Sequence, residues 1–138
     1  MSSGAPLNAT PAWNREYIAA HPSSHLALCA KTVHAADEDR FVTTCCEVTA
    51  HAILWKLGLS HSVAIEGVSL LEAERLACTV LISFDGDDHF ALIHEGYIYQ
   101  SFYKQHTVRA DPVTGTTLRS LMRDFSEVAL WIFPVGDA

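Results

Sequence analysis

The chain has no basic cluster. Its 9 lysines and arginines occur singly, as at Lys31, Arg40, Lys56 and Arg75, against 16 acidic residues, for a net charge of -7. Such a surface repels a phosphate backbone, which argues against nucleic acid as a partner. No apolar run approaches the roughly 18 residues of a transmembrane helix, so no membrane span is expected. The four cysteines, Cys29, Cys45, Cys46 and Cys78, form no CxxC pair. Adjacent cysteines bridge only with strain, and 138 residues is long for a disulfide scaffold, so free thiols in a reducing compartment are expected. None of the eight histidines falls in an HExxH or HxH pattern. His51, His61, His89, His94 and His106 are scattered without a matching carboxylate, so neither a metal site nor a cofactor is expected. Met1 to Pro11 lacks the basic and apolar stretches of a secretory leader, so the expectation is synthesis in the cytoplasm, with export by a signal-independent route left open. There is no internal repeat and no low-complexity segment.

Hydrophobic residues make up 49% of the chain and charged residues 18%, which is globular composition. The length fits one domain that buries roughly two thirds of its unfolded surface without a staple. Residues 1–12 read as a flexible lead-in and 13–138 as the domain. Trp13 to Ala20 reads as a short helix, and His25 to His34 as a second, capped by Ser23 or Ser24. Ala35 to Arg40 reads as a charged loop. Thr43 to Leu57 is the clearest helix: Thr43 or Thr44 caps it, Glu47 completes a capping box, and Gly58 ends it. Val48, Ala52 and Trp55 mark one face, and Thr49, Ile53 and Leu57 the next. An arc that wide predicts a central helix, and Trp13, Trp55 and Trp131 read as core. Further elements are a helix from Ser69 to Ala77, strands Thr79 to Phe84, His89 to His94 and Tyr97 to Tyr103, a helix from Thr116 or Thr117 to Phe125, and a last strand Val128 to Pro134. Asp85-Gly86-Asp87 and Glu95-Gly96 are turns. Helices followed by an antiparallel meander predict an α+β fold.

Three polar spots recur in order along this frame: Thr43-Thr44-Cys45-Cys46-Glu47, Asp88-His89-Phe90 and Tyr99-Gln100-Ser101. A cysteine attacks as its thiolate, and a helix N-terminus or a nearby imidazole lowers its pKa. The first helical turn also offers backbone N–H groups to an oxyanion. If Glu95-Gly96 joins two strands, His89 faces Phe102, Ala91 faces Gln100 and Ile93 faces Ile98. His89 and Gln100 then share a sheet face as diagonal neighbours. The Gln100 amide oxygen can accept the second imidazole N–H and fix its tautomer.

The order Cys, His and polar orienter resembles the papain-like cysteine peptidase superfamily, over roughly Thr43 to Phe102. It is most similar to compact bacterial effector and toxin versions, which act as proteases, amidases or glutamine deamidases. A glutamine as orienter is similar to the Cys-His-Gln set of the cycle-inhibiting-factor deamidases. The run Cys45-Cys46-Glu47 also resembles the Cys-aromatic-Glu motif of arylamine acetyltransferases. The resemblance implies a papain-like core, in which a Cys-bearing central helix packs on a small antiparallel sheet. It implies a nucleophile at Cys45, with Cys46 as the alternative, His89 as base and Gln100 as orienter, and an oxyanion site at Thr44 and Cys46. Val48, three residues after Cys45, occupies the place of a large apolar core residue in that superfamily; Cys46 puts Thr49 there. The upstream oxyanion glutamine of papain has no counterpart, since Asp39 and Arg40 occupy that stretch. This shifts the expectation from an ordinary peptidase toward an effector-like hydrolase or deamidase acting on a protein or peptide.

Each residue also has a plainer reading. A free cysteine is commonly a small core residue. A strand-end histidine commonly faces water, as does a strand glutamine. Asp85, Asp87 and Asp88 fit a solvated turn, with Asp88 placed to tune His89. The alternative function is a non-catalytic binding or inhibitor module on the same fold.

Overall fold

The computed structural model of the protein describes residues 5–59, 79–84, 89–102, 107–124 and 128–133. The chain divides into two compact units, a helical one (Asn8–Leu59 and Gln100–Arg109) and one built mainly of strands (Met1–Leu7, Ser60–Tyr99 and Ala110–Ala138). The architecture is α+β, as expected.

In the helical unit, α1 runs Pro11–Ala20. Proline suits a first helical position because its missing N–H would find no partner there. The helix thus begins inside the expected lead-in. Ser24 caps α2 (His25–Leu28) by accepting from the Ala27 N–H at 3.1 Å. The chain continues through a π-helical turn, Cys29–Val33, and a 3-10 turn, Ala35–Asp37, into α3 (Glu38–Thr44). The expected loop before Thr43 is therefore mostly helix. Glu38 and Asp39 lie in the first turn of α3, where acidic groups complement the helix dipole.

Helix α4 spans Cys46–Lys56 and buries Val48, Thr49, Ala50, Ala52, Ile53 and Leu54, as the wide apolar arc predicted. It ends in a Schellman motif. Gly58 has φ of 75°, its N–H bonds the Trp55 carbonyl at 3.0 Å, and Leu59 reaches back to Leu54 at 2.8 Å. Trp55 is 37% exposed, which corrects its reading as core. The Lys56 ammonium lies 5.5 Å from both its ring and that of Trp13. Helix α1 packs on α3 and α4. The core of this unit gathers Ile18, Leu26, Ala27, Ala30, Val42 and Val48, with Tyr17, Phe41 and Cys45 against it.

Among the described residues five strands follow: β1 (Thr79–Phe84), β2 (His89–His94), β3 (Tyr97–Phe102), β4 (Thr107–Pro112) and β5 (Val128–Phe133). They form one sheet in the order β4-β3-β2-β1-β5. The β1–β2, β1–β5 and β2–β3 ladders are antiparallel. Leu92 faces Tyr99 and Ile93 faces Ile98, the register expected from the Glu95-Gly96 turn. Both turn residues have positive φ, 48° and 87°, as a type I′ hairpin requires. In β2, Phe90 to His94 are all buried. The Thr79 hydroxyl bonds His94 Nδ1 at 2.6 Å inside this unit. Strand β4 was missed because Thr-Val-Arg-Ala-Asp-Pro is polar and ends in proline. Helix α5 (Gly115–Asp124) is capped by Thr114, which accepts from the Thr117 N–H at 3.1 Å, so the expected cap at Thr116 or Thr117 moves upstream. The expected Ser69–Ala77 helix, the Asp85-Gly86-Asp87 turn, Asp88 and Cys78 lie outside the described residues.

Candidate functional site

The first polar spot is a one-residue hinge between two helices, not the start of one. Thr43 and Thr44 close α3. The Cys45 N–H bonds the Phe41 carbonyl at 3.0 Å as the last bond of α3, and its carbonyl takes the Thr49 N–H at 3.1 Å as the first bond of α4. Between them Cys45 is extended, with φ -76° and ψ 121°. The threonines account for the break. Each turns its hydroxyl back onto its own helix, Thr43 to the Asp39 carbonyl at 2.9 Å and Thr44 to the Arg40 carbonyl at 2.6 Å. Stiff β-branched side chains and back-bonded hydroxyls bend a helix and resist its continuation. The capping box is therefore corrected: the Thr hydroxyls serve α3, and Cys45 holds the N-cap position of α4. The Thr44 hydroxyl is correspondingly committed to Arg40 and is not available as an oxyanion donor.

Cys45 is half-buried against the apolar core. Its thiol is pushed up from 9.0 to about 11. Burial is the main cause; the Glu47 carboxylate and Cys46 act in the same sense. The N–H groups of Val48 and Glu47 pull the other way, though neither makes a cap hydrogen bond to the sulfur. The expectation that the helix start would lower this thiol is thereby corrected, because desolvation outweighs the helix terminus.

Cys45 also lines a recess of about 210 Å³, together with His34, Asp37, Arg40, Phe41 and Thr44. The His34 ring stacks on Phe41 with centroids 4.2 Å apart. A larger groove, about 670 Å³, runs along Arg15, Ile18, Asp39 and Val42 and contains no expected site residue. The recess at Cys45 is the one that includes an expected site residue.

The structure brings the first and third spots together. The Cys46 thiol donates to the Ser101 carbonyl at 3.5 Å. The hydroxyls of Thr49 and Ser101 are hydrogen-bonded to each other. Asn14 Nδ2 donates to Thr49 Oγ1 and to the Val42 carbonyl, each at 2.9 Å. Asn14, Thr49 and Ser101 are all buried, and Gln100 is only 8% exposed, which removes its reading as a solvated strand residue. No sequence pattern marked Asn14 or Thr49 as part of the site. The one signal was their polarity at i and i+4 positions shared with apolar neighbours.

Spacing does not separate the two thiols, since Val48 and Thr49 are both buried. Their surroundings differ: the Cys46 thiol donates to the Ser101 carbonyl, whereas Cys45 lines the recess. Cys29, Cys45 and Cys46, the described cysteines, are free thiols. His89 opens β2 in the strand unit, whereas Cys45 and Gln100 belong to the helical one. Among the described residues no group of three or more metal-ligating side chains occurs, and no helix is long and apolar enough to cross a membrane. Against this geometry, no family model, no curated protein and no solved structure matches the chain.

Proposed function

We propose that the chain is a thiol hydrolase of papain-like type acting on an amide of a protein or peptide. Cys45 Sγ attacks the carbonyl carbon, His89 takes the thiol proton and returns it to the departing nitrogen, and Gln100 orients the imidazole. Water then releases the acyl group, with His89 as base. The observation that carries the reading is Cys45 itself, the hinge residue at the N-cap of α4 that lines a recess. The strand segment bearing Gln100 is tied to the first turn of that same helix.

The raised thiol specifies how attack proceeds. At pH 8, a group with a pKa near 11 is ionised in about one molecule in a thousand. Proton removal must therefore accompany attack, so the base works in the transition state and not through a resting ion pair. At about 210 Å³ the recess is smaller than the roughly 300–1,000 Å³ of a whole small-molecule site, and suits a single side chain or acyl group. That suits a glutamine carboxamide as well as a peptide bond.

The same high pKa favours a second reading, a non-catalytic binding or inhibitor module in which Cys45 is core. Glutaminyl peptides and unfolded proteins, assayed for released ammonia and for new amino termini, separate the two. On the hydrolase reading Cys45→Ala and His89→Ala each lose at least about a thousandfold in rate, and Cys46→Ala keeps most of it. Turnover that survives Cys45→Ala would end the proposal.

A further inference from the structure

Asn14, Thr49 and Ser101 form one chain of buried hydrogen bonds. The two Asn14 amide hydrogens go to the Val42 carbonyl and to Thr49 Oγ1, each at 2.9 Å. Val42 lies in the last turn of α3 and Thr49 in the first turn of α4. Asn14 therefore straddles the hinge at Cys45. Thr49 Oγ1 accepts from Asn14 and shares a further hydrogen bond with Ser101 Oγ, in which either hydroxyl can be the donor. The Ser101 carbonyl is held in turn by the Cys46 thiol at 3.5 Å. The two residues pinned, Cys46 and Ser101, are the chain neighbours of Cys45 and Gln100.

We propose that Thr49 is a positioning residue for the reaction, joining the Cys45 hinge to the strand that carries Gln100 and fixing their separation. The inference rests on the roles assigned above to Cys45 and Gln100. The adjoining core of Ile18, Leu26, Val42 and Val48 holds by apolar contact, which is tolerant in direction. A hydrogen bond constrains distance and angle, and a buried one has no water to fall back on. A polar chain at this place therefore secures geometry, and small misplacements of reacting groups cost large factors in rate.

The test compares Thr49→Val, which keeps the shape and removes the hydroxyl, with Thr49→Ser, which restores it. Ile53→Val serves as a control, because Ile53 is buried on the same helix outside the polar chain. Iodoacetamide at pH 8, read at Cys45 by peptide mass spectrometry, reports on the hinge without needing turnover. Thr49→Val is expected to speed alkylation of Cys45 by roughly tenfold, as water reaches the loosened hinge, and to lower kcat by roughly tenfold at unchanged KM. Thr49→Ser returns both to near wild type. Ile53→Val lowers Tm and leaves both unchanged. Asn14→Ser, a milder cut at the other end of the chain, follows Thr49→Val in case that variant folds poorly. Wild-type alkylation of Cys45 in Thr49→Val, or an equal change in Ile53→Val, overturns the assignment. Absence of hydrolysis in every variant would instead strike the hydrolase reading, with alkylation still deciding the positioning role.

Discussion

The two units bury polar side chains to different ends. In the strand unit the Thr79 hydroxyl and His94 Nδ1 pair at 2.6 Å between adjacent strands whose register the β1–β2 ladder already sets. That bond satisfies two buried groups and fixes little that the backbone has not fixed. In the helical unit Asn14 reaches Thr49 across 35 residues, and Thr49 reaches Ser101 across 52. No ladder sets those separations, so the side chains do it. A polar bond laid over a ladder is local accommodation, whereas one that spans elements without a ladder determines where they stand.

Asn14→Leu gives the hardest test of that contrast. It deletes two bonds and leaves the Val42 carbonyl without the Asn14 donor and the Thr49 hydroxyl without its input. The expected cost is about 2–4 kcal/mol in urea unfolding, with the m-value kept. Thr79→Val, which removes one half of a local pair, is expected to cost about 1–2 kcal/mol. If the two variants cost the same, the polar chain of the helical unit is no more than satisfied burial.

Titration gives the next test, because burial moves an acid in one unit and a base in the other. For Cys45 the folded thiol, near 11, lies above its ordinary 9.0. Between those values the unfolded chain has released a proton that the folded chain still holds, so stability is complete below pH 9 and falls as pH rises toward 11. The limb amounts to roughly 2–3 kcal/mol. Cys45→Ala is expected to remove it, as read from urea midpoints between pH 8 and 11. An alkaline limb of full size in Cys45→Ala would mean that another group carries it.

His94 supplies the opposite limb. Burial lowers its pKa below 6.5, and Glu95, with Oε1 3.8 Å from Nε2, works against that shift. The unfolded imidazole takes a proton that the folded one refuses. Stability is therefore complete above pH 6.5 and is lost as pH falls through the folded pKa. Opposed by Glu95, the acid limb is expected to be smaller than the alkaline one. His94→Gln flattens it below pH 6.5, and an unchanged acid slope in that variant would exclude His94 as its source.

How much of this was legible beforehand follows the same division. Wherever the backbone decides, the sequence was readable: the Glu95-Gly96 hairpin, its register and the Gly58 terminus follow from φ preferences and pleat alternation. The hinge was not readable, because a threonine hydroxyl can bond forward to an N–H as a cap or back to a carbonyl as a bend, and Thr43-Thr44 is written the same way for both. That ambiguity moved Cys45 from inside a helix to the joint between two. The sign of its pKa shift was also hidden, since a helix terminus lowers a thiol and burial raises it, and only packing says which is larger. Asn14 was invisible because its partners lie 28 and 35 residues away. The meeting of the Cys45–Cys46 and Gln100–Ser101 spots was legible in order, but the bonds that join them were not.

The smallest expected effect comes from the residue next to Asn14. Arg15 crosses the same gap from α1 to α3, pairing with Asp39 at 2.7 Å, but its side chain is 53% exposed and that of Asp39 72%. Water solvates both partners in the broken state, and salt screens them in the formed one. Arg15→Gln is expected to cost less than about 1 kcal/mol, and less still at 0.5 M salt. Asn14 and Arg15 are consecutive, polar and bonded to the same neighbouring helix, so burial is what separates them. If Arg15→Gln costs as much as Asn14→Leu, the packing of α1 on α3, and not the buried chain through Thr49, is what holds the hinge.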